Sequence, residues 1–497
     1  MPPTLVDAIH ASTAGLGHIV VPRVSPVPKP APETPALPTA MGLRDVVLFF
    51  VTTGTNLQWV AFAAAAGPSA LTVWLLGAFA MFLPLSWCVL HLSARFPEEG
   101  GLYVWVRRAF GHPAGFLAGW MYWCSNLPYF PGLLYFIASN ALFAFGDRYA
   151  SLQSSRAYFV TVSILGLAVG AGVNILGLGV GKWLNNLGGI TRWLSVFILI
   201  GLAMGALAAF GSATTFSVES LVPRLGVANL LFWSTIAFAW TGPEAASFMG
   251  GEIRDARRTV PRGLLLAAPM IAAIYVLGTA SILVAVPAGA VSGLEGVLQA
   301  VQAAEARLGW SGVTALAAIL VTITSLGSVG AWFETVARLP FVAGIDRFLP
   351  ERFGRLHPRW GSPYVALLTQ AAVTVVFVLI GQAGTTVGGA YQVLVSLTVV
   401  VTFIPFVLLF AAAVKLAGTS DGGQALRLPG GPAAVVAFAL VGLATTLGSI
   451  VLSLVPPESE PNKPLAVAKV LGTTALVLGA GILVYARGRR AAGRVPP

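Results

Sequence analysis

The sequence predicts an all-α integral membrane protein with about twelve transmembrane helices. Three observations carry that expectation. Of the 497 residues, 57% are apolar and only 9% charged, with a mean hydropathy of +0.83. A soluble chain is about one quarter charged, so this one has too little polar surface to cover a soluble core. The apolar residues gather into runs near 44–66, 70–93, 113–143, 157–180, 187–210, 227–250, 263–287, 309–337, 362–381, 389–414, 432–455 and 465–486. Each run is long enough to cross the bilayer as a helix. The 29 Lys and Arg residues, which set a net charge of +11, lie almost entirely between the runs. That pattern is a topology signal rather than a nucleic-acid surface, and it excludes a soluble enzyme, a nucleic-acid binder and a secreted disulfide scaffold.

Residues 1–43 hold nine prolines and no charged segment leading into an apolar one, so they predict a disordered cytoplasmic tail and not a signal peptide. With twelve crossings, both termini share a side. Twenty-two of the 29 basic residues fall on the face of the N-terminus and six on the other, with Arg192 inside a run. The excess places both termini in the cytoplasm of an inner, cytoplasmic membrane. The last stretch, 487–497, reads as a basic tail on an anionic leaflet. Cys88 and Cys124 lie inside apolar runs, and no two of the five histidines stand at ligand spacing, which leaves no disulfide framework and no metal site. No phosphate-binding Gly-rich loop is present. Neither cofactor nor nucleic acid is expected; the expected partners are membrane lipids and a small-molecule substrate.

Two runs are interrupted. The first reads Thr52-Thr53-Gly54-Thr55-Asn56, five weak helix formers in mid-span. The sixth reads Trp240-Thr241-Gly242-Pro243-Glu244, where Pro243 has no N–H to donate. Freed backbone groups in hydrocarbon are costly unless they face a cavity or a ligand. The two runs begin 183 residues and five spans apart, so the second half would lie inverted, with a broken helix at the matching place in each half. That arrangement points to a substrate site near the midplane.

Four stretches then resemble the amino acid–polyamine–organocation permeases. They are Arg95-Phe96-Pro97-Glu98-Glu99-Gly100-Gly101-Leu102-Tyr103, continuing through Gly119-Trp120; Gly242-Pro243-Glu244-Ala245-Ala246-Ser247 with Glu252, Arg257, Arg258 and Pro261; Ala337-Arg338 through Pro350; and His357-Pro358 with Ser362-Pro363. The resemblance covers about residues 44–486. It implies a five-plus-five inverted repeat, with helices 1–5 over 44–211, helices 6–10 over 227–414 and an accessory pair over 432–486. It also implies secondary active transport of an amino acid or related amine by alternating access, proton-coupled or exchanging, with the substrate between spans 1 and 6. Family members usually carry a Gly-Ser-Gly-like cluster in span 1. Thr53, Thr55 and Asn56 here put side chains where bare backbone is expected, which opens the site to other amines.

The expected substrate-binding residues are Thr53, Gly54, Thr55 and Asn56 on span 1, and Asn126 and Tyr129 on span 3. Phe238, Trp240, Thr241 and Gly242 supply span 6, and Trp332 and Tyr391 supply spans 8 and 10. Phe238 is the aromatic that resembles the family's gate. Glu244, the one acid near the breaks, is either a proton carrier or a hydrogen-bonded strut. Arg192, about one and a half turns inside span 5, either extends its stem to the cytoplasmic face or stands at the sodium position of sodium-coupled relatives as a charge it does not release. Glu334 and Arg338 form an i,i+4 pair, read as structural or as an inner-gate tie. A polyamine transporter and a membrane amine sensor are the alternative functions.

Overall fold

The computed structural model describes residues 38–223, 226–346, 348–381, 387–419, 428–454 and 463–492. Most of the tail expected over 1–43 lies outside these. The regular elements among them are helices: α1 Leu43–Gly54, α2 Leu57–Ala65, α3 Ser69–Arg95, α4 Leu102–Phe110, α5 His112–Ala141, α6 Arg156–Ile175, α7 Leu178–Phe210, α8 Val227–Ala239, α9 Ala256–Ala285, α10 Gly296–Leu308, α11 Val313–Ile345, α12 Tyr364–Gly381, α13 Val387–Leu416, α14 Gly431–Ser453 and α15 Lys463–Ala492. Short helical turns join some of them. Ten stretches are long and apolar enough to cross a membrane, with α1 and α2 together forming one of them. The protein is thus an all-α, multi-spanning membrane protein. Two further apolar elements are shorter: α8, which stops at Ala239, and α12.

Among the helix ends that differ from the expected runs, two do so for one reason. Helix α7 starts at Leu178 rather than near 187, and α11 continues to Ile345 rather than stopping near 337. Both extensions pass through polar residues that look like helix exits in sequence. In the folded chain Asn185 donates to Glu334 at 3.2 Å, Asn186 donates to Asp45 at 2.8 Å, and Arg338 pairs with Glu252 at 2.6 Å. Polar groups with partners inside the bundle do not end a helix. Helix α4, absent from the expected pattern, is a short amphipathic helix whose apolar residues Leu102, Val104, Trp105 and Val106 are buried.

The core is the packing of α1, α5, α7, α9 and α11 around the two interruptions. Helices α7 and α11 approach until a Cβ on Gly188 would stand 2.8 Å from the Cα of Gly327, the small-residue crossing of membrane helices. Three apolar faces close on α9, where Val46 lies against Gly263, Ile271 against Gly54 and Val60 against Gly278. At the end of the bundle where α1 begins, the chain before α1 is fastened by backbone bonds. Ala40 and Met41 donate to the Glu252 carbonyl at 2.9 and 3.1 Å, and Arg254 donates back to Met41 at 3.0 Å. The segment Pro97–Gly101 packs on the same exit, with Gly100 donating to Phe248 and Gly251 to the Glu99 carboxylate.

Candidate functional site

Both interruptions form, and they meet. Helix α1 ends at Gly54, Thr55 and Asn56 are extended, and α2 begins at Leu57. Helix α8 ends at Ala239, and the chain resumes as a 3-10 turn at Ala245. Gly242 sits between them at φ +124°, and a Cβ there would stand 2.8 Å from the Gly54 Cα. Only glycine meets both demands, so the two breaks touch backbone to backbone.

The threonines of the first break keep their hydroxyls at home. Thr52, Thr53 and Thr55 donate to the carbonyls of Leu48, Phe49 and Val51 at 2.8, 2.9 and 2.5 Å, a bond pattern that loosens a helix. Asn56 caps α2 by accepting the Gln58 N–H at 3.2 Å, and its amide donates to the Tyr129 hydroxyl at 3.0 Å. Its own N–H goes to the Tyr275 oxygen at 3.3 Å, and the Tyr275 hydroxyl donates to the Ala239 carbonyl at 2.9 Å. The two breaks are therefore linked through Tyr275.

A small cavity of about 30 Å³ opens between the breaks, lined by Thr53, Asn56, Trp59, Tyr122, Asn126, Tyr129, Phe238, Ala239, Thr241, Tyr275, Trp332 and Thr402. Phe238 stands edge-on to Trp59 at 5.5 Å between centroids, and Tyr129 edge-on to Trp332 at 6.2 Å. Of the expected residues, Thr53, Asn56, Asn126, Tyr129, Phe238, Thr241 and Trp332 come together on this wall. Gly54 and Gly242 form the contact behind it. The Thr55 hydroxyl turns away toward Val51 and Arg192. Trp240 packs outside the cavity against Trp74, Phe82 and Tyr275, with its indole N–H on the Trp74 carbonyl at 3.1 Å. Tyr391 belongs to α13, and its side chain lies outside the described residues.

Sequence reasoning missed Trp59, Tyr122, Ala239, Tyr275 and Thr402. Tyr122 shares a face with Asn126 and Tyr129, four and seven residues on, and helical periodicity identifies it. Tyr275 has no such local signal, because only the fold brings span 7 to the breaks.

Two charges lie beside the cavity. Glu244 is fully buried; its Oε1 accepts from the Tyr122 hydroxyl at 2.6 Å and its Oε2 from the Gly242 N–H at 2.9 Å. Arg192 is also fully buried, about four turns into α7, so the expected reach to the membrane face does not occur. Its guanidinium donates to the Thr52 carbonyl at 3.2 Å, to the Thr55 hydroxyl at 2.7 Å and to Ser328. A cation thus rests on the C-terminal carbonyls of α1, where the helix dipole favours it. No group of three or more potential metal ligands occurs among the described residues.

A helical bundle whose two broken spans meet at an aromatic and polar cavity defines a membrane permease. The family model described as amino acid permease matches residues 39–476, and the chain belongs to that family within the amino acid–polyamine–organocation superfamily. The chain is 25% identical over 431 residues to an uncharacterized transporter of Legionella pneumophila, covering 85% of this chain and 91% of that one. It is 25% identical over 319 residues to a probable agmatine/putrescine antiporter of Lactococcus lactis, covering 64% and 67%. It is 26% identical over 324 residues to the human Asc-type amino acid transporter 1, covering 64% and 60%. The protein is a secondary transporter of amino acids or related amines, a multi-pass inner-membrane protein and not an enzyme.

Proposed function

We propose that the cavity between the two breaks is the substrate site, and that it takes a small molecule with a single cationic nitrogen, bound mainly through that nitrogen. The composition of the wall carries this reading: six aromatic side chains, several hydroxyls and amides, and no carboxylate. An ammonium over aromatic faces is attracted by about 0.5–2 kcal/mol per ring. A diamine or polyamine would ask for acids, and Glu244 has both oxygens engaged by Tyr122 and Gly242. This favours an amino acid or monoamine, although one relative is named for agmatine and putrescine. The N–H groups of Asn56 and Gln58, backbone donors suited to a substrate carboxylate, are already taken by Tyr275 and the Asn56 side chain.

In this reading the chain crosses twelve times, as two inverted five-helix units over 44–211 and 227–414 and an accessory pair over 432–486, with both termini in the cytoplasm. Thr53, Asn56, Asn126, Tyr129, Phe238, Thr241 and Trp332 touch the substrate, with Tyr391 on the same helix as Thr402. Arg192 is a fixed cation that fills the position of a coupling sodium, and Glu244 is a strut that holds the second break open. Purified protein in proteoliposomes tests this. Counterflow of a labelled substrate should be competed by the decarboxylated amine as well as by the parent amino acid, and uptake should persist when sodium is replaced by choline. Competition by amino acids alone, or uptake that stops without sodium, overturns the reading.

A further inference from the structure

The two breaks leave one backbone donor and one backbone acceptor facing each other, and a single hydroxyl serves both. Residue 243 is proline, so it has no N–H to offer the carbonyl four residues back, at Ala239, the last residue of α8. The Tyr275 hydroxyl donates to that carbonyl at 2.9 Å. In the first break Asn56 is extended, at φ −140°, and its N–H donates to the same Tyr275 oxygen at 3.3 Å. Their neighbours are committed locally. The Gln58 N–H goes to the Asn56 side chain and the Trp59 N–H to the Asn56 carbonyl, while the Phe238 carbonyl takes both the N–H and the hydroxyl of Thr241.

The Asn56 N–H stands at the start of α2 and the Ala239 carbonyl at the end of α8, so the pair joins a positive helix end to a negative one. A zwitterion matches such a pair, with its carboxylate on the N–H and its ammonium on the carbonyl. The Tyr275 hydroxyl does the same with one atom, because it accepts and donates at once. Its ring is held in place from two sides. It stacks on Trp74 at 4.2 Å between centroids and 12° from parallel, and Trp240 stands edge-on to it at 5.2 Å. Those two rings are themselves fixed: the Trp74 indole N–H donates to Thr279 at 2.9 Å, and the Trp240 indole N–H to the Trp74 carbonyl. Tyr275 is buried in this stack and lines the cavity with its remaining edge.

We propose that Tyr275 is a specificity-determining residue: its hydroxyl occupies the backbone donor and acceptor that an α-amino acid would bridge, so the site selects substrates by their cationic nitrogen and gives no return for an α-carboxylate. The proposal rests on the reading of the cavity as the substrate site and deepens it, since among the substrates that reading admits it favours the monoamines. A cationic nitrogen still meets the aromatic wall of Trp59, Tyr129, Phe238 and Trp332. A carboxylate brought into the same space gives up its hydration and finds the N–H groups of Asn56 and Gln58 already engaged.

Thermal unfolding of the purified protein, titrated with the proteinogenic amino acids and with the amine formed from each by decarboxylation, gives an affinity for both members of every pair. In the wild type each amine that binds should bind at least as tightly as its parent amino acid. Tyr275→Phe keeps the ring on Trp74 and removes only the oxygen, which frees the Asn56 N–H and the Ala239 carbonyl. The ratio of the two affinities should then swing toward the amino acid by about tenfold, the worth of a hydrogen bond to a charged group. A tyrosine that only braced the breaks would weaken both ligands together and leave the ratio where it was. An unchanged ratio in Tyr275→Phe, with amines still bound by both proteins, overturns the proposal and spares the reading of the cavity. Should Tyr275→Phe not fold, the wild type decides alone, and amino acids that bind about tenfold tighter than their amines overturn the proposal. If no amine and no amino acid stabilises the wild type, the reading of the cavity falls and the proposal falls with it.

Discussion

Phe238 and Phe248 are ten residues apart and both buried, yet they do different work. Phe238 faces the cavity beside Trp59, whereas Phe248 is fully enclosed and packs at a tilt against Tyr122, 4.9 Å between centroids. Replacing Phe238 by Ala removes a ring from the substrate and leaves the helix intact, so KM should rise by about tenfold, the equivalent of one cation–π contact. Replacing Phe248 by Ala opens a hole behind Tyr122, so it should lower the thermal unfolding temperature more than it raises KM. Uptake kinetics and thermal unfolding of both variants check this; equal effects on KM would remove Phe238 from the site. Single residues were legible where their chemistry was local. Thr53, Asn56 and Phe238 announce themselves by standing next to a break. Tyr275 does not, since it acts at the breaks through two hydrogen bonds made across 219 and 36 residues of chain. Arg192 was legible as an oddity but not in its orientation, because the start of α7 was hidden by polar residues that the fold satisfies.

At the scale of elements, the sequence marks breaks better than it marks ends. Thr-Thr-Gly-Thr-Asn and Gly-Pro interrupt helices by their own backbone chemistry, whatever surrounds them. The ends of α7 and α11 depend on which polar residues find partners, and the sequence holds no trace of the pairing. The start of α11 is another such case. Glu305, near the end of α10 and outside the spans, accepts the N–H groups of Val313 and Thr314 at 2.9 and 2.7 Å, and the Thr314 hydroxyl also donates to it. A carboxylate there satisfies the orphan donors of a helix N-terminus and meets its positive end. Burial works against this charge, but the bonds from Thr314 and Val313 outweigh it and hold the carboxyl below its ordinary range. A depressed carboxyl stabilises the folded chain above its unfolded pKa, and that contribution is lost as pH falls through the folded value. Glu305→Ala should therefore lower unfolding stability by about 1 kcal/mol at neutral pH. The gap to the wild type should close as the pH drops below about 4. Thermal unfolding across pH checks it, and a gap independent of pH would mean that Glu305 acts by packing alone.

For the whole molecule, the argument for orientation is statistical where the argument for the site is geometric, and the two must agree. In the proposed topology each break leaves one half-helix on either side of the midplane. Gly54 and Gly242 meet only if their spans lie side by side, and in the proposed topology the odd number of spans between their starts makes the two halves run in opposite directions. An inverted pair followed by two more crossings returns the chain to its starting side, and under that proposed twelve-span topology the basic residues crowd that side by 22 to 6. The same side holds the cluster at Arg338, together with the Ala40–Met41 fastening to Glu252 and the basic stretch from Arg254 to Arg262. An epitope tag at residue 20 or at residue 490 should then be shielded from impermeant reagents in intact cells, whereas a tag at residue 459, between α14 and α15, should be labelled. The three positions test crossing parity and orientation together. Labelling of both terminal tags from outside would turn the molecule over and set the Arg338 cluster on the outer face. Labelling of only one would make the number of crossings odd, and the inverted pair with two added helices would no longer describe this chain.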